Sequence, residues 1–157
     1  MPDVLAAIRP DSVNLPLFLH VLGAMLLVGA LSAIAFSTVL GWRLPERAPG
    51  LGRFAFKTLL WGVFPSWVLM RVAAQWTESE ENLPENFEPS WLEIGYITAE
   101  AGGLLILISI ILTVIGLRRS KTDAGGGVGL ARAVGVISFL LLAAYILAVW
   151  AMTAKPT

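Results

Sequence analysis

The sequence predicts an all-α protein, an integral membrane four-helix bundle, on three observations. First, 57% of the 157 residues are hydrophobic and 14% are charged, against about 25% charged in an ordinary soluble domain. The mean hydropathy of +0.77 agrees. Second, four apolar stretches are of the length, about 20 residues, that an α-helix needs to cross the hydrocarbon core of a bilayer. Third, 11 basic and 11 acidic residues cancel in the total, yet they segregate between the segments that join those stretches.

Span one is expected over 17–40, where His20 is the sole ionisable residue. The run is too long for the roughly 7–15 apolar residues of a signal peptide, and Asp3 and Asp11 stand ahead of it beside Arg9, so a retained helix is expected. Within Met1 to Pro10, Val4, Leu5 and Ile8 suit one face of a short interfacial helix. Span two, 54–75, carries Lys57 and Arg71 near its ends and Pro65 at its middle. Membrane helices tolerate a central proline, and long basic side chains reach back to the interface. Span three, 94–117, is interrupted only by Glu100, and span four, 133–154, has no charge. The chain is therefore read as a single transmembrane domain, 1–157.

Orientation follows from the loops, because short loops rich in Lys and Arg stay on the cytoplasmic side. Loop 41–53 with the start of span two holds Arg43, Arg47, Arg53 and Lys57, and loop 118–132 holds Arg118, Arg119, Lys121 and Arg132. Loop 76–93 is acidic, with Glu78, Glu80, Glu81, Glu85, Glu88 and Glu93. Both termini and the acidic loop are thus placed outside a plasma (cytoplasmic) membrane, with the two basic loops inside. Trp42 at the inner end, and Trp76, Trp91 and Trp150 at the outer ends, suit the interfacial preference of indole. Trp61 and Trp67 lie deeper and are assigned to packing between helices. The run Gly125 to Gly127 marks loop 118–132 as flexible.

A shift of 75 residues superposes Thr38-Val39-Leu40-Gly41-Trp42-Arg43 on Thr113-Val114-Ile115-Gly116-Leu117-Arg118. Gly50, Gly52 and Lys57 then fall on Gly125, Gly127 and Arg132, which raises a parallel repeat of two helical hairpins. Gly and Ala recur in membrane helices for packing alone, so the repeat and its absence both stay open. Gly23, Ala30 and Ser37 in span one, and Gly95, Gly102 and Gly103 in span three, mark sites of close helix approach.

Composition removes several function classes. With no cysteine there are no disulfides, thiolate metal sites or cysteine nucleophiles. No basic excess is available for nucleic acid. Gly-x-Ser-x-Gly, P-loop and His-Glu-x-x-His elements are all missing from the sequence, so no catalytic residue is named.

The polar residues inside the spans carry the remaining chemistry, because each is costly there. His20, Arg71, Glu100 and Tyr145 come from four different spans at similar depth below the outer surface. At about 100° per residue, Glu93, Tyr96, Glu100 and Gly103 form one stripe, and Phe64, Trp67, Arg71 and Gln75 another. Ser138, Tyr145 and Met152 align on span four, and His20 shares a face with Gly23, Ala24 and Leu27. The expectation is an outward-opening pocket of His20, Arg71, Glu93, Tyr96, Glu100 and Tyr145, with Arg71 paired to Glu100. The competing reading is an ion pair that merely neutralises two charges, with His20 a hydrogen-bonded structural residue.

A metal reading rests on His20, Met70 and Met152, since imidazole and thioether suit reduced copper. Met25 points about 140° away from His20 and is left out. Haem would require His20 to pair with Met152 or with a second copy, because the chain has one histidine. The acidic loop lacks the spaced signature of a calcium site and reads as a solvated connector.

The segment Leu19-His20-Val21-Leu22-Gly23-Ala24-Met25-Leu26-Leu27-Val28-Gly29 resembles the first helix of bacterial four-helix predicted integral membrane proteins of unknown function. Its Leu-His-x-x-Gly-Ala pattern is similar to a helix of copper-resistance D-type membrane proteins. That second resemblance implies copper handling, with His20 as the matching residue.

The function expected from these residues is that of a membrane binding or accessory protein with a polar pocket on its outer side. A copper or haem redox protein is one alternative, and a structural subunit of a larger membrane complex is another. The lipid bilayer, a second copy or a membrane complex are the expected partners.

Overall fold

The computed structural model describes residues 11–81, 89–122 and 127–154. The expected interfacial helix of Met1 to Pro10 lies outside them, as does most of the glycine run. Among the described residues every long element is helical and no strand occurs.

Helix α1, Asp11–Arg43, is 33 residues long, with Asp11 in its first turn and Arg43 in its last, each complementing the helix dipole. A short 3₁₀ turn, Pro45–Arg47, reverses the chain. Helix α2, Ala48–Thr58, then runs without a break through a π turn, Leu59–Val63, into helix α3, Phe64–Glu81. Helix α4, Ser90–Thr122, and helix α5, Val128–Ala154, complete the chain.

The π turn ends two residues before Pro65, which has no N–H to offer the preceding turn and whose ring crowds the carbonyl four residues back. The chain inserts one extra residue, and the Phe64 N–H bonds to the carbonyl of Leu59. Gly62 lies in this turn against Ala30 of α1. At the 75-residue shift the π turn corresponds to 134–138, which is ordinary α-helix in α5. The geometry of the two hairpins thus lends no support to a parallel repeat.

Three helices are long and apolar enough to cross a bilayer: Asp11–Arg43, Ser90–Lys121 and Val128–Ala154. The second expected span, 54–75, falls instead on α2, the π turn and α3. Its first segment has no buried residue, and its last ends in Glu78, Glu80 and Glu81. The helices also outrun the expected spans. Residues 41–43, 48–53, 76–81, 90–93, 118–122 and 128–132 were expected in loops and are helical. At 1.5 Å per residue, α1 and α4 are each about 50 Å long, well beyond about 30 Å of hydrocarbon.

Neighbours along the chain pack side by side. α1 contacts α2, the π turn and α3 on one flank and α5 on another, while α4 contacts α5 and also α2 and α3. Leu27, Leu31 and Ile34 of α1, Leu59 and Val63 of the π turn, Ile106 of α4 and Leu141 of α5 form the core. Many large apolar side chains also lie on the outside: Trp61, Phe36 and Met25 are 78%, 71% and 68% exposed. Trp61, expected to pack between helices, instead faces outward, and Met25 is exposed as well.

Small residues set the helix separations. A Cβ on Gly23 would lie 2.6 Å from the backbone nitrogen of Met70, so α1 and α3 touch backbone to backbone there. On α4, Gly95 receives Met152 and Gly102 receives Tyr145, seven residues apart on both helices of an antiparallel pair.

Candidate functional site

The stripes expected on spans two and three meet across the α3–α4 seam. Trp67 packs its ring against Gly103, where any side chain would collide with it, and its indole N–H donates to the Ala99 carbonyl at 2.9 Å. One helical turn further along α3, Arg71 Nε donates to Glu100 Oε1 at 2.8 Å and Nη2 lies 2.7 Å from the same oxygen. The Arg71 guanidinium carbon also stands 5.0 Å from the centre of the Tyr96 ring, a cation–π arrangement. The Tyr96 hydroxyl in turn donates to Glu78 Oε2, back on α3.

Four side chains from two helices are thus laced together, Arg71 and Glu78 from α3, Tyr96 and Glu100 from α4. The pair is unevenly placed: the Arg71 side chain is 18% exposed and that of Glu100 is 64% exposed. Arg71 Nη1 is buried with no hydrogen-bond partner among the described residues. Glu78, absent from the expected pocket, was in reach of the same reasoning, because it lies seven residues, two helical turns, beyond Arg71 on one face of α3.

The other expected pocket residues lie elsewhere. His20 sits on the α1–α3 seam, its Nδ1 3.0 Å from the carbonyl oxygen of Met70. A carbonyl only accepts, so Nδ1 carries the proton and Nε2 holds the free lone pair in neutral histidine. Tyr145 is buried on the α4–α5 seam with its hydroxyl over Gly102 and no hydrogen-bond partner among the described residues. Glu93 is exposed in the first turn of α4. Equal depth therefore places His20, Arg71 and Tyr145 on three different seams.

The copper candidates are divided between two seams, His20 and Met70 on α1–α3 and Met152 on α4–α5. Met70 is buried at the approach of α3 to Gly23 and meets His20 through its backbone carbonyl. Met152 packs its terminal methyl against Gly95 of α4. Among the described residues no three His, Cys, Asp or Glu side chains stand close enough to share an ion.

No family model, curated protein or solved structure matches the chain.

Proposed function

We propose that the chain is a multi-pass protein of the cytoplasmic membrane, a four-helix bundle with both termini outside. Its role is that of a non-catalytic binding or accessory protein, with the Arg71, Glu78, Tyr96 and Glu100 group as its outer site. The observation that carries this reading is the linked set of charges across α3 and α4 among otherwise apolar helices. Ionisable groups at such depth are expensive and mark functional positions more often than chance. Support for the membrane comes from three long apolar helices and from an apolar exterior. Support for the orientation comes from the exposed cations Arg43, Arg47, Arg53, Lys57, Arg118, Lys121 and Arg132, all at the opposite end from Glu78 and Glu100.

With no native cysteine to interfere, single replacements report the topology directly. Ser79→Cys is expected to react with an impermeant maleimide on intact cells, and Ser120→Cys only after lysis. The reverse pattern would overturn the orientation. The site is tested by purification from native membranes in mild detergent. A ligand or partner lost in the Arg71→Met, Glu100→Met double variant supports a binding role. An unchanged set of co-purifying molecules points to a structural subunit.

A further inference from the structure

Helix α2, the π turn and α3 run as one continuous rod, and its exposed side chains fall on one stripe. From the basic end these are Arg53 with Phe54, then Lys57, Trp61, Pro65 and Val68, three or four residues apart, with partly or fully buried residues between them. The opposite side of the rod is held by α1, where Leu51 lies against Gly41 and Gly62 against Ala30. One exposed face therefore carries two cations, then an indole, then apolar residues.

The charge of this end is unmatched. Its exposed cations, named above, have no hydrogen bond or ion pair among the described residues, and Glu46 is the one acid described beside them. Arg53 and Lys57 stand one helical turn apart, and neither has an acid three or four residues away. Like charges at that spacing repel, so an anion lying between them relieves the pair. Trp61 adds a donor one turn further along: it is 78% exposed and its indole N–H has no partner among the described residues. Helical side chains lean toward the N-terminus, which for this rod is the basic end, so the indole leans toward Lys57. Phe54, 47% exposed, flanks the cations on the other side.

We propose that the Arg53, Phe54, Lys57 and Trp61 face binds an anionic phospholipid of the inner leaflet, its phosphate between Arg53 and Lys57 and an ester carbonyl on the indole N–H of Trp61. The proposal rests on the membrane orientation given above and assigns a site separate from the α3–α4 group. Cations at the headgroup level with an aromatic ring one turn deeper follow the order of phosphate, ester and acyl chain in a leaflet. An acidic protein segment or a nucleic acid would satisfy the cations, but it would leave the indole, one turn deeper and far more exposed, without a partner.

The test is native mass spectrometry of the purified full chain released from nanodiscs of equal parts phosphatidylglycerol and phosphatidylethanolamine. The anionic lipid is expected to be retained in preference. Arg53→Gln with Lys57→Gln is expected to lower that preference about fivefold, the scale of one basic side chain at an anionic surface, since both positions are exposed. Arg118→Gln with Lys121→Gln, which removes the same charge from the end of α4 where no aromatic residue stands, is expected to change it far less. Trp61→Leu lowers retention of both lipids and keeps their ratio, because the ester carbonyl is common to both. All of these positions are exposed, so the variants keep the fold. Equal retention by the unaltered chain, equal losses from the two double variants, a Trp61→Leu chain that holds both lipids as before, or an acidic protein or nucleic acid held at this face would each overturn the proposal. If the cysteine labelling gives the expected sides and the lipid ratio is one, only the lipid site falls. Reversed labelling overturns the orientation and the inner-leaflet assignment together.

Discussion

Arg71 sets two of its nitrogens on one oxygen of Glu100, at 2.8 and 2.7 Å, from a side chain far more buried than its partner's. The two halves of the pair are therefore not equivalent. Glu100→Gln strands a guanidinium that is 18% exposed, whereas Arg71→Gln leaves a carboxylate that is 64% exposed. Stranding a largely buried charge costs about 3–5 kcal/mol, and exposed ions cost much less. Thermal unfolding in detergent is expected to rank Glu100→Gln as the more damaging change, with the double replacement by apolar residues milder than Glu100→Gln alone. A larger loss from Arg71→Gln would show that the guanidinium is held by Tyr96 and not by Glu100.

The His20 to Met70 contact makes a prediction about proton position. Since the Met70 carbonyl can only accept, neutral His20 carries its hydrogen on Nδ1. Nitrogen NMR of ring-labelled protein is expected to give a protonated Nδ1 and an unprotonated Nε2. His20→Asn, which retains a donor of similar reach, keeps more stability than His20→Leu, by roughly 1 kcal/mol for one hydrogen bond. An Nε2-protonated tautomer would break this picture.

Helical periodicity was enough to pair Arg71 with Glu100, because both stripes come from regular turns and the partner helices are adjacent. The same rule held for Tyr145 and Met152, which share one face of α5 and both reach glycines of α4. What periodicity could not supply was azimuth relative to neighbours. His20, Arg71 and Tyr145 have one depth because depth follows residue number along a helix, but which seam each enters depends on packing order. Trp61 was misplaced for a simpler reason: it lies six residues from Trp67, about 120° round a regular helix, so both cannot face one neighbour. The π turn was illegible as such. Pro65 signals a disturbance, but an inserted residue, a kink and an unbonded carbonyl all satisfy that signal.

Gly102 and Tyr145 give a packing prediction. Any side chain at Gly102 enters the space of the Tyr145 hydroxyl, so Gly102→Val separates α4 from α5 or displaces the ring. Overpacking of this kind costs about 1–3 kcal/mol. Tyr145→Ala in the same chain is expected to recover part of the loss, visible as a favourable coupling in a double-mutant cycle of thermal stability. Strict additivity would mean that the two residues do not touch.

Two fully buried serines on neighbouring helices should respond oppositely to loss of their hydroxyls. Ser109 Oγ on α4 has no partner among the described residues, while Ser138 Oγ on α5 donates to the Val134 carbonyl at 2.9 Å. A buried hydroxyl without a bond costs about 1–3 kcal/mol relative to a satisfied one. Ser109→Ala removes that cost with almost no change in volume, so it is expected to leave unfolding temperature unchanged or raise it. Ser138→Ala gives up a bond and is expected to lower stability by about 1 kcal/mol. If Ser109→Ala proves the more damaging of the two, a water or an alternative rotamer must satisfy Ser109, and the α4–α5 seam would then be more polar at its centre than its packing suggests.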